Sequence, residues 1–469
     1  MVFNSIEFVV FFPVVYVVYL LLGHRGQNSV LLIASYFFYG YWDWRFLGLI
    51  FISTVVDYIA STEIAKNNPA TRKKALYFSI LVNLGILGFF KYFNFFIQSL
   101  AELALSFGLG FSPFTLQILL PLGISFYTFQ TMSYTIDVYR GEVKPVRNFF
   151  DFALFVSFFP QLVAGPIERA KNLLPQILSQ RTITYKHLEE GTYLLLQGFF
   201  KKVFVADNLS YIVDPVFASA NPTGFEVLLG ASAFIVQIYC DFSGYSDIAR
   251  GSARFMGIKL MQNFDLPLLS VNIIDLWKRW HISFTTWLRD YVYYPLGGSK
   301  VSDARMHFNN ILTFFVSGLW HGANWTFIVW GVYNGILTSI FKILYPYIPE
   351  FKFRSNLANV SVIAVRMFTT FLSFAISGIF FRSQTISQAV LFIQNIFVNA
   401  GAYDGKLMEK VVRLVLLLLG LEIYQYIKKD EFALFSAPVA VRSAIYIVML
   451  YGILILGNFD KNEFIYFVF

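Results

Sequence analysis

Residues 308–342 read FNNILTFFVSGLWHGANWTFIVWGVYNGILTSIFK, an apolar run interrupted by His321. A membrane-spanning helix needs ~20 such residues, so this stretch reads as a span, and the rest of the chain reads the same way. Of its 469 residues, 57% are hydrophobic, 19% aromatic and only 14% charged, with a mean hydropathy of +0.61. Soluble globular chains carry about 25% charged residues. At ~20 apolar residues per crossing, the hydrophobic content caps the spans at roughly 13 and sets a working range of about 9 to 12. The composition describes an all-α polytopic membrane protein. It excludes a disordered chain, a collagen-like fibre, a disulfide scaffold and a secreted soluble enzyme.

Candidate spans, about 11 in number, cover 8–22, 29–42, 46–62, 76–100, 115–138, 189–206, 226–247, 308–342, 358–381, 411–427 and 441–457. The first follows Glu7 rather than a basic segment and ends in Leu21-Leu22-Gly23 without a small-x-small cleavage site, so it reads as an uncleaved span. Loop 63–75 holds Lys66, Arg72, Lys73 and Lys74, which assigns it to the cytoplasm. Counting back puts the N-terminus outside and Arg25 inside; counting forward puts Arg140, Lys144 and Arg147 inside. The net charge of +8 and pI of about 9.2 are then orientation signals rather than a nucleic-acid footprint.

Phe149–Pro166 is apolar but broken by Pro160, Gly165 and Pro166, with basic residues on both sides, so it reads as a re-entrant or interfacial segment. Residues 248–306 scatter Arg250, Arg254, Lys259, Lys278, Arg279, Arg289, Lys300 and Arg305 among Trp, Leu and Tyr. They read as short helices dipping into the cytoplasmic leaflet around a central opening. No repeat, low-complexity run or linker is visible, and one domain is expected over residues 1–469.

Counting from residue 308 at ~1.5 Å per residue puts His321 roughly 20 Å into its span. An ionisable group there is costly and marks function by default. In a continuous helix Ser317, Asn324 and Trp325 share its face, while Gly318, Gly322 and Ala323 leave room beside the imidazole. The alternative is a buried, hydrogen-bonded histidine that joins two helices. A second site is DLWKRWHISF, residues 275–284, followed by Trp287, Arg289, Asp290 and the turn Pro295-Leu296-Gly297-Gly298. Aromatic and basic residues are ordinary at a membrane interface, but a histidine flanked by Arg279 and Ser283 is not. With Trp280, Arg289 and Asp290, His281 forms a mouth suited to an anionic donor such as a nucleotide- or phosphopantetheine-linked thioester.

A third run, QIYCDFSGYSD at 237–247, carries Asp241 and Asp247, whose spacing keeps them off one helix face and makes a paired-carboxylate acid/base site weak. Cys240 has no basic neighbour in sequence to lower its pKa. As the single cysteine it excludes an internal disulfide and a Cys-rich metal site. His24, beside Arg25, and His187, after Lys186, read as loop residues, and His307 as structural. No Walker loop, nucleotide GxGxxG, G-x-S-x-G or HExxH occurs, so neither a metal nor a tightly bound cofactor is expected.

Several of these stretches together resemble the membrane-bound O-acyltransferases, and within them the alginate O-acetyltransferase branch. The resemblance rests on Leu122-Gly123-Ile124-Ser125-Phe126-Tyr127, Phe159-Pro160-Gln161-Leu162-Val163-Ala164-Gly165-Pro166-Ile167 and Asp241–Asp247. It rests most on Arg279-Trp280-His281-Ile282-Ser283, Trp287-Leu288-Arg289-Asp290-Tyr291 and Gly318-Leu319-Trp320-His321-Gly322, and extends to Phe464-Ile465-Tyr466-Phe467. Gln161 departs from the family's F-P-x-L-[IV]-A-G-P segment, where His is more common. The resemblance implies a ring of helices around a funnel that joins the cytoplasm to a thin central wall. It implies a catalytic histidine in the channel-lining helix, matched by His321. The second family position, His in some branches and Asn in others, is matched by His281.

Topology and resemblance together imply acetyl transfer from a cytosolic thioester, acetyl-CoA or an acyl-thioester carrier, arriving at the His281 mouth. His321 would act as general base on an acceptor hydroxyl, or second as an acyl-histidine, with Asn324 or Trp325 steadying the oxyanion. The expected acceptor is an extracytoplasmic SGNH-type acetyltransferase or the exopolysaccharide it serves, as in alginate O-acetylation. An acyl carrier protein and membrane lipids are further expected partners, and nucleic acid is not. The expected location is a bacterial cytoplasmic (inner) membrane. Two alternatives stand: D-alanyl transfer from a carrier protein toward teichoic acid, and a non-enzymatic transporter or flippase, which would show paired broken helices in two halves.

Overall fold

The computed structural model of the protein describes every residue except 67, 111–112, 164, 349–355, 403, 460–463 and 468–469, with the side chains of 356–357 and 467 also set aside. The chain forms two compact units that interleave in sequence: Met1–Tyr193 with Ile248–Met261, and Leu194–Asp247 with Gln262–Phe469.

The first unit contains α1 (Ile6–Leu20), α2 (His24–Asp43), α3 (Leu47–Ile64), α4 (Pro69–Leu87), α5 (Phe93–Ser106), α6 (Ile124–Arg140), α7 (Phe149–Ser157), α8 (Phe159–Leu162), α9 (Ala170–Leu178) and the start of α10 (Tyr185–Phe199). Side-chain caps set several starts: the Ser5 hydroxyl accepts from the Phe8 amide, Asn68, ahead of Pro69, from Ala70 and Thr71, and Asn148 from Phe150 and Asp151. α4 and α5 join through a π-helical turn at Gly88–Tyr92, so this apolar helix runs longer than the expected 76–100. The expected span 115–138 is helical only from Ile124. Pro121 and the left-handed Gly123 (φ 72°) turn the chain there, where a Cβ on Gly123 would stand 2.8 Å from the Leu162 carbonyl oxygen. Within the broken segment that starts at Phe149, Phe152, Phe155, Phe158 and Phe159 are fully buried in protein, which is where irregular backbone is tolerated at membrane depth. Asp57, buried in α3, accepts from the Ser79 hydroxyl and from the Asn83 amide at 3.0 Å, so its carboxylate is satisfied by α4.

The second unit continues α10 through a π-helical stretch, Phe200–Ala206, and adds α11 (Asp207–Ala218) and most of α12 (Gly224–Phe255). It then contains α13 (Ile273–Arg279), α14 (Ile282–Leu288), α15 (Asp303–His321), α16 (Trp325–Leu344), α17 (Asn356–Arg382), α18 (Ile386–Val398), α19 (Gly405–Lys428) and α20 (Val439–Ile455). The run 308–342 is not one helix. It is a hairpin of α15 and α16, broken at Gly322-Ala323-Asn324, where the Asn324 carboxamide oxygen caps α16 by accepting from the Thr326 amide at 3.0 Å. Glycines let the two helices approach: a Cβ on Gly318 would stand 2.3 Å from the Phe327 carbonyl oxygen, and one on Gly331 2.3 Å from that of Phe314. Gly318→Val is expected to destabilise the protein by ~1–3 kcal/mol or more through overpacking. A lowered melting temperature in detergent checks this, and an unchanged one would remove the close-approach explanation.

Among the described residues, five helical stretches are long and apolar enough to cross a membrane: His24–Ile64, Pro69–Ser106, Gly224–Phe255, Trp325–Tyr347 and Ala358–Arg382. Ile6–Leu20, Ile386–Val398 and Val439–Ile455 are shorter and apolar. Val9, Val10 and Val14 on α1 and Ile447 and Leu454 on α20 face outward, as lipid contact requires. The protein is all-α and multi-pass, with no strand among the described residues. Set beside the expected spans, some of these helices merge two of them or break one, and α18 lies outside the expected set.

Candidate active site

The site lies in the second unit, where two short helices meet the α15–α16 hairpin. Asn272 caps α13 by accepting from the Asp275 amide at 2.8 Å, and α13 ends at Arg279. The chain then turns sharply at His281, which has a left-handed backbone (φ 43°, ψ 55°) and opens α14. A non-glycine residue held there is strained, and such strain gathers at functional sites. Asn263 supports the corner from behind. Its carbonyl oxygen accepts from the Ile282 amide at 2.8 Å, its carboxamide oxygen accepts from the Ser283 hydroxyl at 2.6 Å, and its amide donates to Ser246 at 2.9 Å. The His281 ring packs 4.6 Å from Phe242 and 4.9 Å from Phe284. This burial pushes its pKa down to about 3, so the imidazole is neutral.

His321 is the last residue of α15. Its ring is walled by Trp320 and Trp330, both at 4.9 Å, by Phe381 at 5.2 Å, by Tyr466 at 5.5 Å and by Phe284 at 5.7 Å. Both histidines line one cavity of about 400 Å³. Ser317, one helical turn before His321, lines it, as do Trp280, Phe284 and Asn310. Three cations, Lys278, Arg289 and Lys342, also reach its wall. The chamber thus combines imidazoles in an apolar enclosure with positive charge.

Of the residues singled out from sequence, His321, His281, Ser317, Trp280 and Arg289 meet at this cavity. The others do not line it. Asn324 and Trp325 lie past the helix break rather than on the His321 face. Asn324 donates to the Gln384 carbonyl at 3.0 Å, and the Trp325 side chain is among the exposed ones. Arg279 bonds Asp275 at 2.9 Å and reaches Asp265 at 3.6 Å. Ser283 serves Asn263, and Asp290 pairs with Arg289 at 2.9 Å. Sequence reading missed Lys278 and Lys342 as wall cations, and Phe284 and Tyr466 as neighbours of the imidazoles. Lys278 and Phe284 lay in the quoted 275–284 run, and Tyr466 in the stretch 464–467 to which the resemblance extends.

Behind the histidines lies a layer of buried charge that explains the run 237–247. Lys202 bonds both Asp207 and Asp241 at 2.7 Å, and Lys201 bonds Asp247 at 2.9 Å. The Ile465 amide donates to the second oxygen of Asp241 at 2.7 Å, fastening the segment that carries Tyr466. The two carboxylates of the run therefore neutralise buried lysines and hold chain segments. Cys240 is buried on the same helix, and burial suits a structural thiol. Among the described residues no group of His, Cys, Asp and Glu could hold a metal ion.

An all-helical membrane protein with two imidazoles facing one cationic cavity fits a membrane acyltransferase. Residues 143–381 match MBOAT, the membrane-bound O-acyltransferase family, and the chain belongs to that family. It is 44% identical over 393 residues to a probable alginate O-acetylase of Pseudomonas aeruginosa, covering 83% of this chain and 73% of that protein. A peptidoglycan O-acetyltransferase of Helicobacter pylori is 34% identical over 422 residues, covering 83% of this chain and 78% of that protein. A teichoic acid D-alanyltransferase of Bacillus subtilis is 28% identical over 265 residues, covering 54% of this chain and 67% of that protein.

Proposed function

We propose that this O-acyltransferase moves an acetyl group from a cytosolic thioester to a polysaccharide outside the bacterial inner membrane, directly or through an extracytoplasmic SGNH-type acetyltransferase. The observation that carries the reading is the meeting of His281, His321 and three cations at one cavity. Cations at the wall favour a donor that bears phosphate, which acetyl-CoA and a phosphopantetheine-bearing acyl carrier protein share. The N-terminus faces outward in this orientation. His321 takes the proton of an acceptor hydroxyl as that oxygen attacks the thioester carbonyl; the C–S bond then breaks, and the thiolate leaves with a proton returned by His321. Neutral His281 and Ser317 stand on the same wall and orient the donor. The alginate and peptidoglycan acetylating relatives, at higher identity and coverage than the D-alanyl relative, support acetyl over D-alanyl.

The test is mass spectrometry of surface polymers from cells with and without the protein. Acetyl esters that disappear with the protein support the reading. Lost alanyl esters would replace it with D-alanyl transfer, and unchanged esters would replace it with transport.

A further inference from the structure

Phe284 is the cavity-lining ring that touches both imidazoles, with centroids 4.9 Å from His281 and 5.7 Å from His321. It sits on the first turn of α14, whose start is fixed by the strained His281 corner and the Asn263 clamp, so its place is set by backbone. Trp320 backs it at 4.2 Å with the planes 30° apart, and Phe284 is itself buried, so protein supports the ring on the side away from the cavity. Trp320 also touches both histidines, yet it does not line the cavity. Phe284 is therefore a wall, next to both imidazoles, of the space that an acyl group with its carbonyl at His321 would occupy.

We propose that Phe284 determines acyl-chain length, admitting a two-carbon acyl group and excluding longer ones by occupying the volume their further carbons require. This rests on the acyl-transfer reading of the cavity. The physical basis is a rigid aromatic wall in a packed interior, where one added methylene is felt. Removing the benzyl group opens space at the position a propionyl or butyryl chain would fill. A hydrophobic pocket gains or loses ~10–200-fold in discrimination per methylene, which sets the size of the effect to look for.

The experiment uses polymer-bearing inverted membrane vesicles supplied with radiolabelled acetyl-CoA or propionyl-CoA, and counts label in the polymer. Wild type is expected to transfer acetyl and little propionyl. Phe284→Ala is expected to raise the propionyl-to-acetyl ratio by at least ~10-fold. Phe284→Leu, which keeps most of the packing, should raise it less, and Phe284→Trp should lower it; these two variants decide the matter if the alanine protein does not fold. A ratio unchanged across folded variants overturns the proposal and leaves the acyl-transfer reading standing. Wild-type vesicles that label polymer neither with these CoA thioesters nor with radiolabelled acetyl-acyl carrier protein would overturn the thioester reading itself.

Discussion

Replacing His321 with alanine lowers acyl transfer by ~10²–10⁴-fold, the usual worth of a positioned general acid–base group. The imidazole closes α15, faces the cavity and is held by five aromatic rings, so its position is fixed and alanine cannot take its proton. His321→Gln, similar in size, separates the loss of the proton acceptor from the loss of packing and is expected to be as inactive at normal folded yield. Trp325→Ala, four residues on, is expected to keep transfer near the wild-type rate, because the indole lies beyond the helix break and faces outward. Transfer rates normalised to folded protein check both. Equal losses at His321 and Trp325 would mean that the continuous-helix face, not the cavity, describes the site.

Lys202→Met has the second large effect, and it falls on stability. The ammonium is almost fully buried and bonds Asp207 and Asp241, each at 2.7 Å. Removing one member of a buried ionic group costs ~3–5 kcal/mol, because the remaining charges stay desolvated without their partner. Asp241 also holds the Ile465 amide, so the variant loosens the segment that sets Tyr466 against His321. The expected result is a strongly lowered melting temperature or loss of folded protein. Adding Asp207→Asn and Asp241→Asn to Lys202→Met removes the stranded carboxylates and is expected to recover part of the loss. A Lys202→Met protein that melts like wild type would contradict the buried-ion description.

Much of this arrangement could be read from the sequence, in physical terms that also show where reading stops. His321 stood out because an imidazole in an apolar run needs a reason, and His281 because it interrupts an interfacial pattern. The helix break just after His321 escaped because hydropathy averages across Gly322-Ala323-Asn324, although Asn324 is a residue type that caps helices and Thr326 lies where a capped amide would be. Assuming one helix carried Asn324 and Trp325 to the wrong face. The Lys201-Lys202 pair inside the expected span 189–206 is a signal that the sequence reading passed over. Two buried ammonium groups demand carboxylates, and Asp207, Asp241 and Asp247 supply them. Asn263 and Tyr466 carry no such signal: each acts through contacts made by distant segments, which composition and spacing do not encode.

The most direct test of the His321 cavity as the place of acyl transfer uses inverted vesicles with radiolabelled acetyl-CoA, comparing wild type with His321→Gln at matched folded protein. Label entering the polymer with wild type and falling by ~10²-fold or more with the variant is the expected result. Label entering at the same rate from both would contradict it.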